Sequence, residues 1–330
     1  LPGWGGGPVG SSGAYPPPYA YLLLIATLFD GLAPPLTLIK AVSIAFDVVA
    51  AAFAYGIVLR VTSSLPKARL AFLAVLLAPT LIANGAFWGQ CDSIHTSLML
   101  GSVYFALSER SWLSGAALGV AFAFKAQSVV LLPWMLLLVM LGRLKWRHLT
   151  AIPLAWAAMM VPAWIAGRSP FDLLFVYFRQ GLFFHRLSMN APNLYYFAPE
   201  GAYDVGVRIG VVVTIAVALA YALLPRWRRV APSREFLLFA ATVSVAMAPF
   251  LLPKMHERYF LPADMASIAL AFALPRYWFI PLGFQLTSLV AYAPIIMRPF
   301  SIGVPATWLY AAAAVNTWLV VYLLLEYRSM

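Results

Sequence analysis

Charged residues make up only 10% of this 330-residue chain, where soluble domains carry about 25%, and that scarcity excludes an ordinary water-soluble fold. Acidic residues are the scarcer sign, 11 against 22 Lys and Arg. A single cysteine, Cys91, rules out an intrachain disulfide and leaves the redox compartment undetermined. No His/Cys spacing suits zinc, no glycine-rich phosphate loop leads into Lys-Ser/Thr, and no Gly-x-Ser-x-Gly elbow occurs. The net charge of +11 does not point to nucleic acid, because the basic residues stand in ones to threes between apolar runs. No base-stacking or nucleic-acid motif accompanies them.

What is abundant is hydrocarbon: 63% of residues are hydrophobic and the mean hydropathy is +0.86. A transmembrane helix needs about 20 apolar residues. Runs of that kind, parted by short polar turns and free of strand-like alternation, fill nearly the whole length. They predict spans at 41–62, 68–86, 92–108, 112–127, 128–142, 149–167, 205–225, 235–252, 259–275, 277–296 and 304–326. The expected fold is therefore an all-α polytopic transmembrane bundle of about 11 spans plus interfacial helices, forming a single domain over residues 1–330. Alternating sides collects Arg60, Lys67, Arg69, Arg110, Arg143, Lys145, Arg147, Arg226, Arg228, Arg229, Arg234, Arg276 and Arg328 on one face, with only Glu109, Glu235 and Glu326 beside them. That bias marks the face as cytoplasmic.

The opposite face receives the chemically richer stretches. Residues 84–93, Asn-Gly-Ala-Phe-Trp-Gly-Gln-Cys-Asp-Ser, form a polar turn between two apolar runs, which is costly unless its groups find partners. The long segment 168–204 carries an aromatic stretch from Phe171 to Phe184 that reads as an amphipathic helix on the outer surface. Tyr15-Pro-Pro-Pro-Tyr19 opens an apolar stretch too short for a comfortable span, hence an interfacial or re-entrant helix. Leu1 to Tyr15 is rich in Gly, Pro and Ser and begins within a loop, so the expectation is a chain lacking at least one upstream helix and part of the first outer loop.

Each candidate group has a functional and a structural reading. Gln90 and Ser93 can hydrogen-bond sugar hydroxyls while Trp88 offers a ring an apolar face, and Asp92 is a candidate catalytic carboxylate; equally, Asp92 could simply cap a helix. Lys125, between two apolar runs, needs an anion or must snorkel. In Lys254-Met-His-Glu-Arg-Tyr259, cations at a helix start oppose the dipole, so a bound phosphate would account for them, held by Arg258 and Lys254 with His256 moving a proton. Otherwise the run is an interfacial anchor. Asn190 and Asn193 flank Ala191-Pro192 as turn residues that could also contact an acceptor. Asp47 and Asp264 fall inside expected spans, where each needs a partner. His95 and His185 read as packing or interfacial residues.

Taken in order, Tyr15-Pro16-Pro17, Trp88-Gly89-Gln90 with Asp92-Ser93, Lys125-Ala126-Gln127, Asn190-Ala-Pro-Asn193 and His256-Glu257-Arg258-Tyr259 resemble the GT-C superfamily of integral membrane glycosyltransferases. The likeness is to bacterial relatives of the GPI mannosyltransferases and of the glucosyltransferases that extend lipid-linked oligosaccharides. It implies a GT-C-like bundle truncated at its N-terminus, a polyprenyl-phosphate sugar donor such as a mannose carrier, and a lipid or glycan acceptor. It implies inverting displacement on the extracytoplasmic side of a cell (inner) membrane. It puts Tyr15, Gln127 and Glu257 with Trp88, Gln90, Ser93, Asn190 and Asn193 around sugar and acceptor. The family's general base is an aspartate in the first outer loop, expected upstream of Leu1. No cofactor is required, although some relatives use a divalent metal. The competing reading is a transporter or flippase of a lipid-linked or anionic solute, which would place ionisable groups near the midplane on broken helices.

Overall fold

The computed structural model describes residues 16–182 and 184–330. Tyr15 lies outside the described residues. Helix α1 (Pro17–Thr27) starts on prolines, whose missing N–H costs nothing at a first turn. Helix α2 (Pro35–Thr62, 28 residues) ends at Ser63, whose φ of 54° turns the chain into α3 (Leu65–Leu76). Pro79 begins the one-turn α4 (Pro79–Ile82), which widens into a π-helical turn over Ala83–Trp88. Gly89 closes that turn at φ 81°, a left-handed conformation that favours glycine. Helices α5 (Asp92–Leu107) and α6 (Ser111–Phe124) follow, and at Lys125 the backbone goes extended before a 3-10 turn over Ala126–Leu131 and α7 (Leu132–Met140).

Next come α8 (Trp146–Leu149), α9 (Ala151–Ile165) and α10 (Pro170–Leu182). A two-residue strand β1 (Ser188–Met189) precedes α11 (Tyr203–Trp227) and α12 (Arg234–Leu251). Strand β2 (Met255–His256) pairs in parallel with β1, and α13 (Leu261–Ala273), α14 (Phe279–Ile296) and α15 (Ala306–Ser329) complete the chain.

Helix α12 runs through the middle of the bundle: every residue from Phe236 to Phe250 is buried, as expected of a helix apolar all round. Its neighbours are tied to it by side-chain bonds to backbone carbonyls. Trp134 Nε1 donates to Leu237 O at 2.9 Å, Ser244 Oγ to Val130 O at 2.8 Å and Tyr221 OH to Ala240 O at 2.7 Å. On α10, by contrast, Phe171, Leu174, Phe175 and Phe178 are exposed along one stripe.

Helices occupy all of the expected span positions, but they are not of one kind. Among the described residues, 7 segments are long and apolar enough to cross a membrane, with Leu65–Trp88 counted as one. Helices α5, α6 and α13 have 16, 14 and 13 residues. At 1.5 Å per residue they reach about 20–24 Å, short of a hydrocarbon core of about 30 Å. The polar groups of the sequence gather where these short helices begin or end: Asp92 opens α5, Lys125 follows α6 and Arg258 precedes α13.

Candidate active site

Asp92 is the first residue of α5 and is fully buried. The preceding residue, Cys91, occupies the N-cap position, so the capping role considered for Asp92 is not the one its carboxylate plays. Lys125 Nζ donates to Asp92 Oδ1, Asn84 Nδ2 donates to Oδ2 at 3.1 Å, and Arg258 Nε lies 3.2 Å from Oδ2. Arg258 also donates through Nη1 to Glu257 Oε1 at 2.5 Å, while Glu257 Oε2 stands 3.6 Å from His256 Nδ1. Two aromatic faces cover the cations: Trp88 beneath the Arg258 guanidinium at 5.5 Å and Tyr259 beneath Lys125 Nζ at 5.1 Å. Asp92, Lys125 and Arg258, far apart in the chain, thus form one ion cluster.

Each member is delivered by a break in regular structure. The π-helical turn and Gly89 aim Trp88 and Asn84 at the cluster. The extended backbone of Lys125, φ −156° and ψ 125°, points its side chain sideways from the end of α6. The loop before α13 is pinned by β2, whose residues Met255 and His256 pair with Ser188 and Met189. Gln127 Nε2 donates to Tyr259 O at 2.9 Å, locking the Lys125 turn to that loop.

Two buried carboxylates facing two cations leave the cluster close to neutral, and removing any one member would strand a buried charge. His256 and Glu257 lie in the loop outside the membrane-spanning helices. Burial pushes the His256 imidazole below its ordinary range, against the opposing pull of Glu257. Burial alone would raise the Glu257 carboxyl, but the His256 hydrogen bond and the Arg258 charge outweigh it and hold the group below its usual value. Among the described residues no group of three or more His, Cys, Asp or Glu side chains is placed to hold a metal ion.

The remaining sequence candidates divide. Lys254 does not join Lys125 and Arg258: its Nζ donates to Gly181 O at the end of α10 and lies 5.5 Å over Tyr203. The cause is local, since Lys254 takes φ 63° and its N–H bonds Leu187 O at 2.7 Å, turning the side chain away from the cluster. Ser93 donates to Asp47 on α2, so the hydroxyl expected to meet sugar closes an internal bond instead and supplies Asp47 with a partner. Gln90 meets α2 through its carbonyl, which accepts from Ser43 Oγ at 2.7 Å.

Asn193 is buried and caps a 3-10 turn, accepting from Tyr195 N at 3.1 Å and donating to Leu252 O at 3.4 Å. Asn190 sits at φ 58° and bridges to His256 through its backbone. These two asparagines build the wall that holds the His256 loop. Asp264 is buried on α13 and accepts from Ser288 Oγ at 3.0 Å. The sequence reading missed Asn84 as a third ligand of the Asp92 carboxylate, and Tyr292, whose ring lies 5.9 Å from Trp88. An amide inside the same ten-residue turn was the available signal for the first. Nothing in the linear pattern singled out the second.

The crystal structure of ArnT from Cupriavidus metallidurans in the apo state is similar to this chain in fold, with a TM-score of 0.55, 15% sequence identity, and coverage of 96% of this chain and 67% of that one. The model of glycosyltransferase family 87 matches residues 14–253, and the chain belongs to that family. No curated protein matches it.

Proposed function

We propose that this membrane glycosyltransferase takes its sugar from a polyprenyl-phosphate carrier and passes it to a lipid-linked or glycan acceptor at the end of the bundle that holds Asp92. The observation that carries the reading is the convergence of Lys125 and Arg258, from opposite halves of the chain, on one recessed carboxylate. In the reaction the bond from the anomeric carbon to the phosphate oxygen breaks as the acceptor oxygen attacks from the other face. The acceptor proton passes to a base. The departing phosphate gains charge, and Arg258 and Lys125 in a partly dry recess are suited to receive it. Trp88 and Tyr259 present faces on which a sugar or an isoprenoid can lie.

Asp92 already accepts from Lys125 and Asn84 and faces Arg258. Its role in this reading is to position Lys125 and Arg258. The base is then the first-loop aspartate that the family resemblance implies. His256 stands beside Glu257 at the edge of the cluster, and its role in this reading is to hydrogen-bond the acceptor. The concentration of Lys and Arg at the other end supports an extracytoplasmic side for this one in the proposed reading.

The test is transfer from radiolabelled polyprenyl-phosphate mannose, and from its glucose counterpart, to extracted membrane lipids by protein reconstituted in vesicles. Label in a new glycolipid is expected. Label that moves only from a nucleotide sugar, or that crosses the bilayer without a new glycosidic bond, would sink the proposal.

A further inference from the structure

A cavity of about 710 Å³ runs along one face of α2 from Val49, two residues past the Asp47 that bonds Ser93, to Ser63, with its mouth at the end remote from Asp92. Phe53, Gly56 and Tyr104 form its walls, and Arg60 and Arg234 stand at its mouth. A second hollow of about 490 Å³ shares Ala52 and Tyr55 with the first and carries Arg69 at its side. Gly56 is needed for this shape: a Cβ there would come 2.7 Å from the Tyr104 ring. Among the described residues no acidic side chain lines either hollow. The arginines here thus differ from Arg258, which faces two carboxylates. Arg234 comes to the mouth from α12 and donates to Arg60 O at 3.4 Å, which holds the Arg234 guanidinium against the end of α2.

The dimensions match a lipid. From Arg60 to Val49 along α2 is about 16 Å at the helical rise, close to one leaflet of a hydrocarbon core of about 30 Å. Two cations at headgroup level above an apolar, aromatic trough of that depth are complementary to a phosphate carrying an acyl chain. Free phosphate would leave the trough empty, and a neutral lipid would leave the arginines without an anion.

We propose that this groove is a binding site for one anionic glycerophospholipid, with its phosphate between Arg60 and Arg234 and an acyl chain against Phe53, Gly56 and Tyr104. Occupancy braces the end of α2 against the start of α12. The site is separate from the sugar-transfer cluster and stands whether or not the donor assignment does.

The experiment is native mass spectrometry of the protein released from detergent after titration with phosphatidylglycerol or phosphatidylcholine. Wild-type protein is expected to retain one phosphatidylglycerol, in preference to phosphatidylcholine by about tenfold. Arg60→Gln with Arg234→Gln removes the preference. Ala52→Trp fills the trough and lowers retention of both lipids while the charge stays unchanged. Equal retention of the two lipids by the wild type, unchanged phosphatidylglycerol retention in the double variant, or displacement of the lipid by millimolar inorganic phosphate would each overturn the proposal.

Discussion

The two ends of the bundle use their cations differently. At the remote end Arg143 donates to Pro232 O at 2.6 Å, Arg226 to Met140 O at 3.1 Å and Arg228 to Arg328 O, all on exposed side chains. Met140 and Arg328 lie in the last turns of α7 and α15, where carbonyls lack helical partners and the dipole is negative. Those arginines finish helices and fix orientation. At the other end Lys125 and Arg258 each meet the buried Asp92 carboxylate and an aromatic face, contributed by segments far away in the chain. The same residue types therefore serve as anchors where they are exposed and as preorganised charge where they are mostly buried against a carboxylate.

The contrast breaks most sharply at Arg258. Replacing it with Ala is expected to lower sugar transfer by about 10²–10³-fold, whereas Arg226→Gln should leave transfer at the wild-type rate; equal effects in a reconstituted assay would erase the distinction. Stability gives the next largest difference. Asp92→Ala strands two partly buried cations and should cost about 3–5 kcal/mol in denaturant unfolding in detergent. Adding Lys125→Met should cost less than the sum of the single changes, since the two share one interaction. A simple sum would show that the pair is not coupled.

A smaller effect is expected away from charge altogether. Asn316 on α15 donates to Pro192 O at 2.9 Å and accepts from Thr287 Oγ1 at 2.8 Å, tying the wall of the site to α14 and α15. Its replacement by Ala leaves the buried Pro192 carbonyl unpaired while the Thr287 hydroxyl keeps its bond to Phe284 O, a loss of about 1–3 kcal/mol, readable as a shift of the unfolding midpoint. Smallest of all, Arg226→Gln should leave the unfolding midpoint where it was, because its guanidinium is already at the surface.

Helix positions were legible because each follows from neighbouring residues: apolar length, prolines at first turns and glycine or serine at exits. The ten residues around Asp92 also stood out, because polar groups beside hydrocarbon need partners. Their actual partners did not. Ser93 was read as facing a sugar and instead bonds Asp47 on α2, and Lys254 was read with Arg258 although a left-handed turn sends it to Gly181. Both outcomes depend on how helices stack and loops bend, about which the spacing of residues along the chain says nothing. Helix length also had to come from the fold: among the described residues, runs that look alike in hydropathy divide into 7 segments long enough to cross a membrane and several shorter helices.

By itself the sequence determined the class of molecule, an all-helical membrane protein with its basic residues sorted toward one end, because hydrophobic length and charge bias act locally and add up along the chain. Only the tertiary structure decided that Lys125 and Arg258 share Asp92, since a contact across 33 or 166 positions exists only once the intervening helices have packed. Within low-dielectric surroundings, that pairing, more than the presence of the residues, decides whether a charge is tolerated and what it can do.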